Sequence, residues 1–268
     1  MKKQFLFLGF LALVALNTTS CNKSEDDPKP DTNNPKPNNP DPDPSGTAPT
    51  APTPTIMNVH GTLVSVIMQY SYTVPVLGQQ VNMNMEVASA AFFTSQNSST
   101  MADAGTVSVN TYDLDKADNN AYYKAASDGQ TPSSLDFTTN TSSWTVAGSG
   151  SVSGFTYDHT GAFPDYDGTL PSTVTKSSGL TISLAGDVSN ADSVYVVVIA
   201  GDKFVQKAVG GNAVEVVFSA SDLSSLPTVS DNSALLEVVP YRLTLETIGG
   251  KQYAFIKEKA VVGNINIE

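Results

Sequence analysis

The sequence predicts an all-β protein, with antiparallel strands stacked as one or two sandwiches behind a linker that does not pack. Three observations carry this. From Ile56 onward, apolar and polar side chains alternate with a period of two in run after run. The runs are short and are separated by Gly-, Asn- and Asp-bearing turns at the spacing of a sandwich or barrel. Thr, Ser, Asn, Asp and Val dominate where a coiled coil needs Glu, Lys, Leu and Arg. With one Cys, two His and a net charge of −12, the chain is neither a disulfide scaffold nor a Cys-rich zinc protein. An acidic chain whose single arginine is Arg242 repels phosphate, so no nucleic acid is expected as a partner.

Residues 1–20 read as a secretory signal. Met1-Lys2-Lys3 is a basic start, Phe5–Leu16 is an apolar run of 12 residues, and Thr18-Thr19-Ser20 are small. The run is too short to span a bilayer, which takes about 20 residues. Cys21 follows at the edge of the signal. This arrangement resembles the lipobox of bacterial lipoproteins, with Thr18 where that pattern prefers Leu. The resemblance implies that Cys21 carries diacylglycerol and becomes the new N-terminus; a secreted protein with a spare Cys is the alternative. Two or three acyl chains anchor stably where one binds marginally, since each buried CH₂ contributes about 0.8 kcal/mol. Lys23-Ser24-Glu25-Asp26-Asp27, an acidic cluster directly after the Cys, resembles the surface-export signal of Bacteroidota lipoproteins, the alternative being a solvated start to the linker.

Residues 21–55 form the linker. Ten of the 16 prolines lie between Asp27 and Thr55, with no aliphatic side chain larger than Ala before Ile56. Such a segment buries too little apolar surface to offset its ordering entropy. Its proline density favours extended polyproline II, and at ~3.1 Å per residue it reaches on the order of 100 Å.

The strands follow in order. Val64, Val66, Met68, Tyr70, Tyr72 and Val74 alternate with polar residues. After a turn at Leu77-Gly78-Gln79, so do Val81, Met83, Met85 and Val87, predicting a hairpin with one face buried and one wet. Weaker strands are expected at Gly105–Val109, Trp144–Ala147 and Val152–Tyr157. Between Tyr112 and Ser143, loops and short edge strands are expected. Leu180–Leu184, Ser193–Ala200 and Val214–Phe218 read as strands, the second apolar on both faces and therefore central. Leu235–Ile248 is a long strand in which Pro240 predicts a bulge or an edge. Gly249-Gly250 makes a tight hairpin into Gln252–Val262, and Asn264–Ile267 is a last short strand. The division falls near Leu170-Pro171, giving a unit over 56–170 with long polar loops and an immunoglobulin-like unit over 171–268; a single larger sandwich is the competitor. The first unit holds two lysines against ten acidic residues and is the more acidic surface.

Candidate chemistry is sparse. His159 lies in a turn without a Gly-x-Ser-x-Gly elbow, so no catalytic residue is assigned. Two histidines do not supply the three ligands that zinc needs. Calcium takes oxygen ligands, and Asp113, Asp115 and Asp118 are a loop cluster that could provide them, against a plain reading as solvated acids. Tyr122, Tyr123, Tyr157 and Tyr166 could stack on sugar rings beside Asp and Asn, or could be core residues; Trp144 is expected in the core. Asp192-Ser193-Val194 resembles a three-residue O-glycosylation sequence of Bacteroidota.

Signal, Cys, acidic cluster, proline stalk and sandwich together resemble the layout of Bacteroidota surface lipoproteins. The resemblance implies an outer-membrane protein, lipid-anchored and facing outward, and carries no activity with it. The expectation is a non-enzymatic binding or adhesion protein whose target is a glycan or a host or surface protein. The alternatives are a structural accessory of a surface assembly and a carboxylate-based glycoside hydrolase. No cofactor is expected other than calcium.

Overall fold

A computed structural model describes residues 58–74, 79–96, 98–127 and 132–268; the signal, Cys21, the export cluster and the linker lie outside the described residues. The fold is all-β, and one large sheet organises it. Strand β1 (Gly61–Val74) and β2 (Gln79–Phe92) are the predicted hairpin. The sheet runs β14 (Lys203–Gly210), β13 (Ser193–Ala200), β16 (Val229–Ile248), β17 (Lys251–Ile267), β1, β2, β6 (Tyr122–Ser127), β5 (Asp115–Lys116), and β10 (Thr173–Val174) joins the far end of β17. Neighbours in this sheet are antiparallel except that β17 runs parallel to both β1 and β10.

One face of the sheet carries two cores. Over β1, β2 and β6 lies a four-stranded sheet in the order β4 (Tyr112–Asp113), β3 (Val107–Val109), β7 (Ser142–Val146), β8 (Phe155–His159). Between the layers sit Leu63, Phe92, Leu135, Phe137, Trp144, Tyr253 and Phe255. The second core is closed by β11 (Leu180–Ser183) paired with β15 (Glu215–Phe218), by β12 (Val188–Ser189) paired with β9 (Asp165–Tyr166), and by the short helix α1 (Ala220–Leu223). It holds Val194, Val196, Val198, Phe218, Leu236, Val238, Ile265 and Ile267. Helix α1 opens on a capping box in which Ser219 Oγ accepts from the Asp222 N–H and the Asp222 carboxylate from the Ser219 N–H.

The alternation of β17 explains how both cores share one strand. Successive side chains of a strand point to opposite faces. Tyr253 and Phe255 enter the first core, and Val261, Ile265 and Ile267, at the same parity, reach the second. The chain is thus not divided at 170: residues beyond 229 serve both cores, and the changeover in the rest of the chain falls between Phe163 and Tyr166. On the opposite face of the same sheet, Val64, Val66, Met68, Val87, Val239, Ile256, Ala260 and Val262 form a third buried cluster.

Several local expectations are corrected. The polar face expected of the β1–β2 hairpin is partly covered: Ser65, on that side of the alternation, is fully buried beneath the four-stranded sheet, and Glu86 accepts from Ser134 Oγ at 2.9 Å and from the Leu135 N–H, while Asn84 stays exposed. Lys251–Ile267 is one strand instead of two, and Gly263 lies within it because Leu170 Cδ1 comes within 3.1 Å of where a Cβ would sit. Pro240 is central, between β13 and β17; the ladder to β17 skips from Val238↔Val261 to Tyr241↔Glu258 without changing register. The bulge of β16 falls between Val229 and Ala234, where Asn232 has φ 55°. Gly249 and Gly250, at φ 58° and 77°, supply the two positive values that a tight primed turn requires.

Because the β16–β17 hairpin is common to both cores, its loss should be felt in both. Phe255→Ala is expected to cost about 3–5 kcal/mol, the usual range for a buried Phe truncation. In denaturant unfolding, Trp144 fluorescence and amide exchange of β13 should shift to lower denaturant together. A shift confined to Trp144 would show that the cores unfold separately.

Candidate functional site

A small set of ionisable and nucleophilic side chains, Ser65, Ser142, His159, Glu237 and Lys257, lies inside the protein. Arg242 and Lys257 are cross-strand neighbours on β16 and β17, and Ser65 is the β1 neighbour of Lys257. The Lys257 side chain is fully buried at the junction of the two cores. Its ammonium donates to Asn140 O at 2.8 Å and Gly161 O at 2.6 Å, and lies 4.9 Å from the centre of the Phe163 ring. Two carbonyls and an aromatic face thus solvate the charge, and no carboxylate pairs with it among the described residues. Burial, and then the neighbouring Arg242, hold its pKa down at about 8. Two residues further on, Lys259 is paired with Asp165 at 2.6 Å.

His159, at the end of β8, packs against Tyr157 and Phe255 with Nε2 3.2 Å from Thr244 Oγ1. Burial, then Lys257, then Arg242 depress its pKa to about 4, so it is a neutral imidazole. Its Nδ1, Ser65 Oγ, Ser142 Oγ and Trp144 Nε1 are buried without hydrogen-bond partners. No carboxylate orients His159, and Ser142, its cross-strand neighbour, is equally buried. On the opposite face of the sheet, burial raises the carboxyl of Glu237, 2% exposed, to about 7, and raises that of the half-buried Glu258 likewise.

The four tyrosines of the glycan expectation do not share a surface. Tyr122 is a core side chain whose hydroxyl donates to Asp103 at 2.9 Å and accepts from the Ala104 N–H at 2.9 Å. Asp103 also meets Lys116 at 2.9 Å, and this bond, with those from Gly105 and Tyr122, lowers its carboxyl to about 2. Tyr166 is buried in the second core. Tyr157 packs on Phe255 and donates to Glu246 at 3.1 Å. Tyr123 alone of the four is exposed, because it follows Tyr122 on the same strand and points the other way. A stacking platform of all four is therefore not formed.

Asp113 lies on β4 opposite Ser108, Asp115 is bound by Lys124 at 3.3 Å, and Asp118 is in the following turn. Among the described residues, no three of the His, Cys, Asp and Glu side chains gather around one point. Asp192 is occupied structurally, its carboxylate accepting from the Leu243 N–H at 2.8 Å.

Sequence reasoning missed a groove of about 450 Å³ between β10 and β11. Leu170, Val174, Leu180 and Ile182 supply apolar surface, and Thr169, Thr173, Thr175, Ser178 and Thr181 supply hydroxyls. Each bordering strand is paired on one side only, β10 with β17 and β11 with β15, among the described residues. No sequence signal marked it, since it arises where two strands of separate sheets fail to meet.

No protein-family model, curated protein or solved structure matches the chain.

The buried carboxyl gives a pH test. A group whose pKa is raised on folding contributes stability fully present below its unfolded value and lost as pH rises through the folded one. For Glu237 that window runs from 4.5 to about 7. Glu237→Gln should therefore match the wild type at the acid end and be more stable above about 7, by on the order of 3 kcal/mol. Urea melts of both proteins across this range check it. His159 has the opposite sign, its stabilising neutral form being lost as pH falls from 6.5 toward about 4.

Proposed function

We propose that this is a lipid-anchored protein of the outer membrane, facing outward, that binds a target without transforming it. Cys21 is the anchor, Lys23–Asp27 direct export, and the proline-rich linker lifts the β-rich region away from the membrane. The target is a surface protein or a glycan.

One observation supports binding over catalysis. The residues with the chemistry for catalysis, His159, Lys257, Ser65, Ser142 and Glu237, are structural members of packed layers. The groove, by contrast, offers hydroxyls and apolar side chains, with no charged group among its lining residues, a lining suited to recognition by hydrogen bonds and contact. The accessory role in a surface assembly is a second reading, favoured by the one-sided pairing of β10 and β11. The hydrolase reading needs a facing carboxylate pair beside a cleft, and the groove-lining residues include none.

Two measurements test this. Cys21→Ala should abolish incorporation of radiolabelled palmitate and release the protein from the membrane fraction; unchanged label and retention would remove the anchor from the account. A glycan and extracellular-matrix screen of the whole protein, with and without calcium, should return a target. Turnover of a screened glycan in place of simple retention would favour the hydrolase.

A further inference from the structure

We propose that Arg242, backed by Lys257, binds the carboxylate of an acidic sugar. This rests on the binding reading above and names the chemistry of its glycan arm. Arg242 on β16 and Lys257 on β17 stand directly opposite each other, so their side chains leave the same face of the sheet. Like charges placed in this way are destabilising. The chain has acids enough to relieve them, with 26 Asp and Glu against 14 Lys and Arg. It does relieve other cations: Lys116, Lys124, Lys207 and Lys259 each meet an aspartate at 3.3 Å or less. Neither Arg242 nor Lys257 meets a carboxylate among the described residues. Two adjacent cations thus stay uncompensated in an acidic protein, and an anion from outside completes them.

Both cations converge on one loop residue. Gly161 O accepts from the Lys257 ammonium at 2.6 Å. A Cβ on Gly161 would lie 2.9 Å from Arg242 Nη1, and the residue has φ 91°, so glycine is what lets the guanidinium come this close. The two arms of the site differ in access. Lys257 is fully buried, with its protons directed at Gly161 O, Asn140 O and the Phe163 ring, and it contributes charge from behind. Arg242 is half-buried, and no hydrogen bond engages its guanidinium among the described residues. Its planar fork is therefore the group that meets the ligand. Such a fork matches two coplanar oxygens with two parallel bonds, which selects a carboxylate. A tetrahedral phosphate or sulfate brings a further charged oxygen, and Lys257 has no proton left for it.

The surroundings decide what carries the carboxylate. Thr160 precedes Gly161, and Asn140 shares Lys257 with it; both are exposed and uncharged. A hydroxyl and an amide beside the fork suit the ring hydroxyls of a sugar. A net charge of −12 repels polyanions, so the ligand that fits carries one carboxylate on an otherwise neutral body. A sugar acid on a neutral glycan has both properties.

The test uses the full-length protein, with sodium glucuronate as the probe and heteronuclear NMR of the Arg242 Nε–H and the Gly161 amide as the readout. Glucuronate should shift both signals saturably, and glucose, its neutral counterpart, should leave them in place. Arg242→Lys keeps the charge and loses the fork, and should weaken glucuronate about tenfold or more, the loss of a charge-assisted hydrogen bond. No saturable shift in the wild type, an equal response to glucose, or unchanged affinity in folded Arg242→Lys overturns the proposal. Tighter binding of N-acetylglutamate α-amide than of glucuronate also overturns it and gives the fork to an acidic segment of a partner protein. The glucose and N-acetylglutamate comparisons are read on the wild type, so the outcome is decisive even where Arg242→Lys fails to fold. A neutral glycan or a protein target returned by the screen would survive failure here, so the two readings fall separately.

Discussion

The β16–β17 hairpin is the constraint on which the rest of the molecule depends. It is long enough for one face to leave the first core and enter the second, so the side chains between Phe255 and Val261 must cross a junction where neither core is complete. Two lysines stand there. Lys259 reaches Asp165 at the junction's edge, while Lys257 is held inside by the carbonyls of Asn140 and Gly161 and the ring of Phe163. A desolvated ammonium is costly, and here its bonds fasten the segments before β7 and after β8, at the two ends of that hairpin, to β17. The junction is polar in composition and rigid in consequence.

The parallel pairing of β1 with β17 follows from the same hairpin. The first described strand lies beside the last, along Gly61↔Tyr253 to Ser71↔Gly263, which brings the two ends of the described chain into one sheet. Where β1 stops pairing, β10 takes its place on β17, and only for two residues. The groove lies beside this short strand, between β10 and β11, which belong to different sheets.

Burial also sorts the chemistry. In isolation, a Lys with a depressed pKa, a neutral His and two unpartnered serines invite a catalytic reading. Their surroundings argue otherwise: Lys257 spends its protons on backbone carbonyls, His159 is packed among aromatic rings, and the serines face the opposing layer. These groups hold layers together.

By itself the sequence determined the all-β class, the β1–β2 and Gly249-Gly250 hairpins, the central position of Ser193–Ala200 and the burial of Trp144. Each of these is written in local alternation or turn chemistry, which a single strand displays without its neighbours. It could not tell Tyr122 from Tyr123, because adjacent residues of one strand differ only in which face the fold covers. Nor could it show that Ser65 is buried, that residues beyond 229 serve two cores, or that Pro240 sits mid-sheet, since each depends on which strand lies alongside or on top. The groove was least legible of all: it lies between strands of two different sheets, and only the assembled sheets bring them near each other.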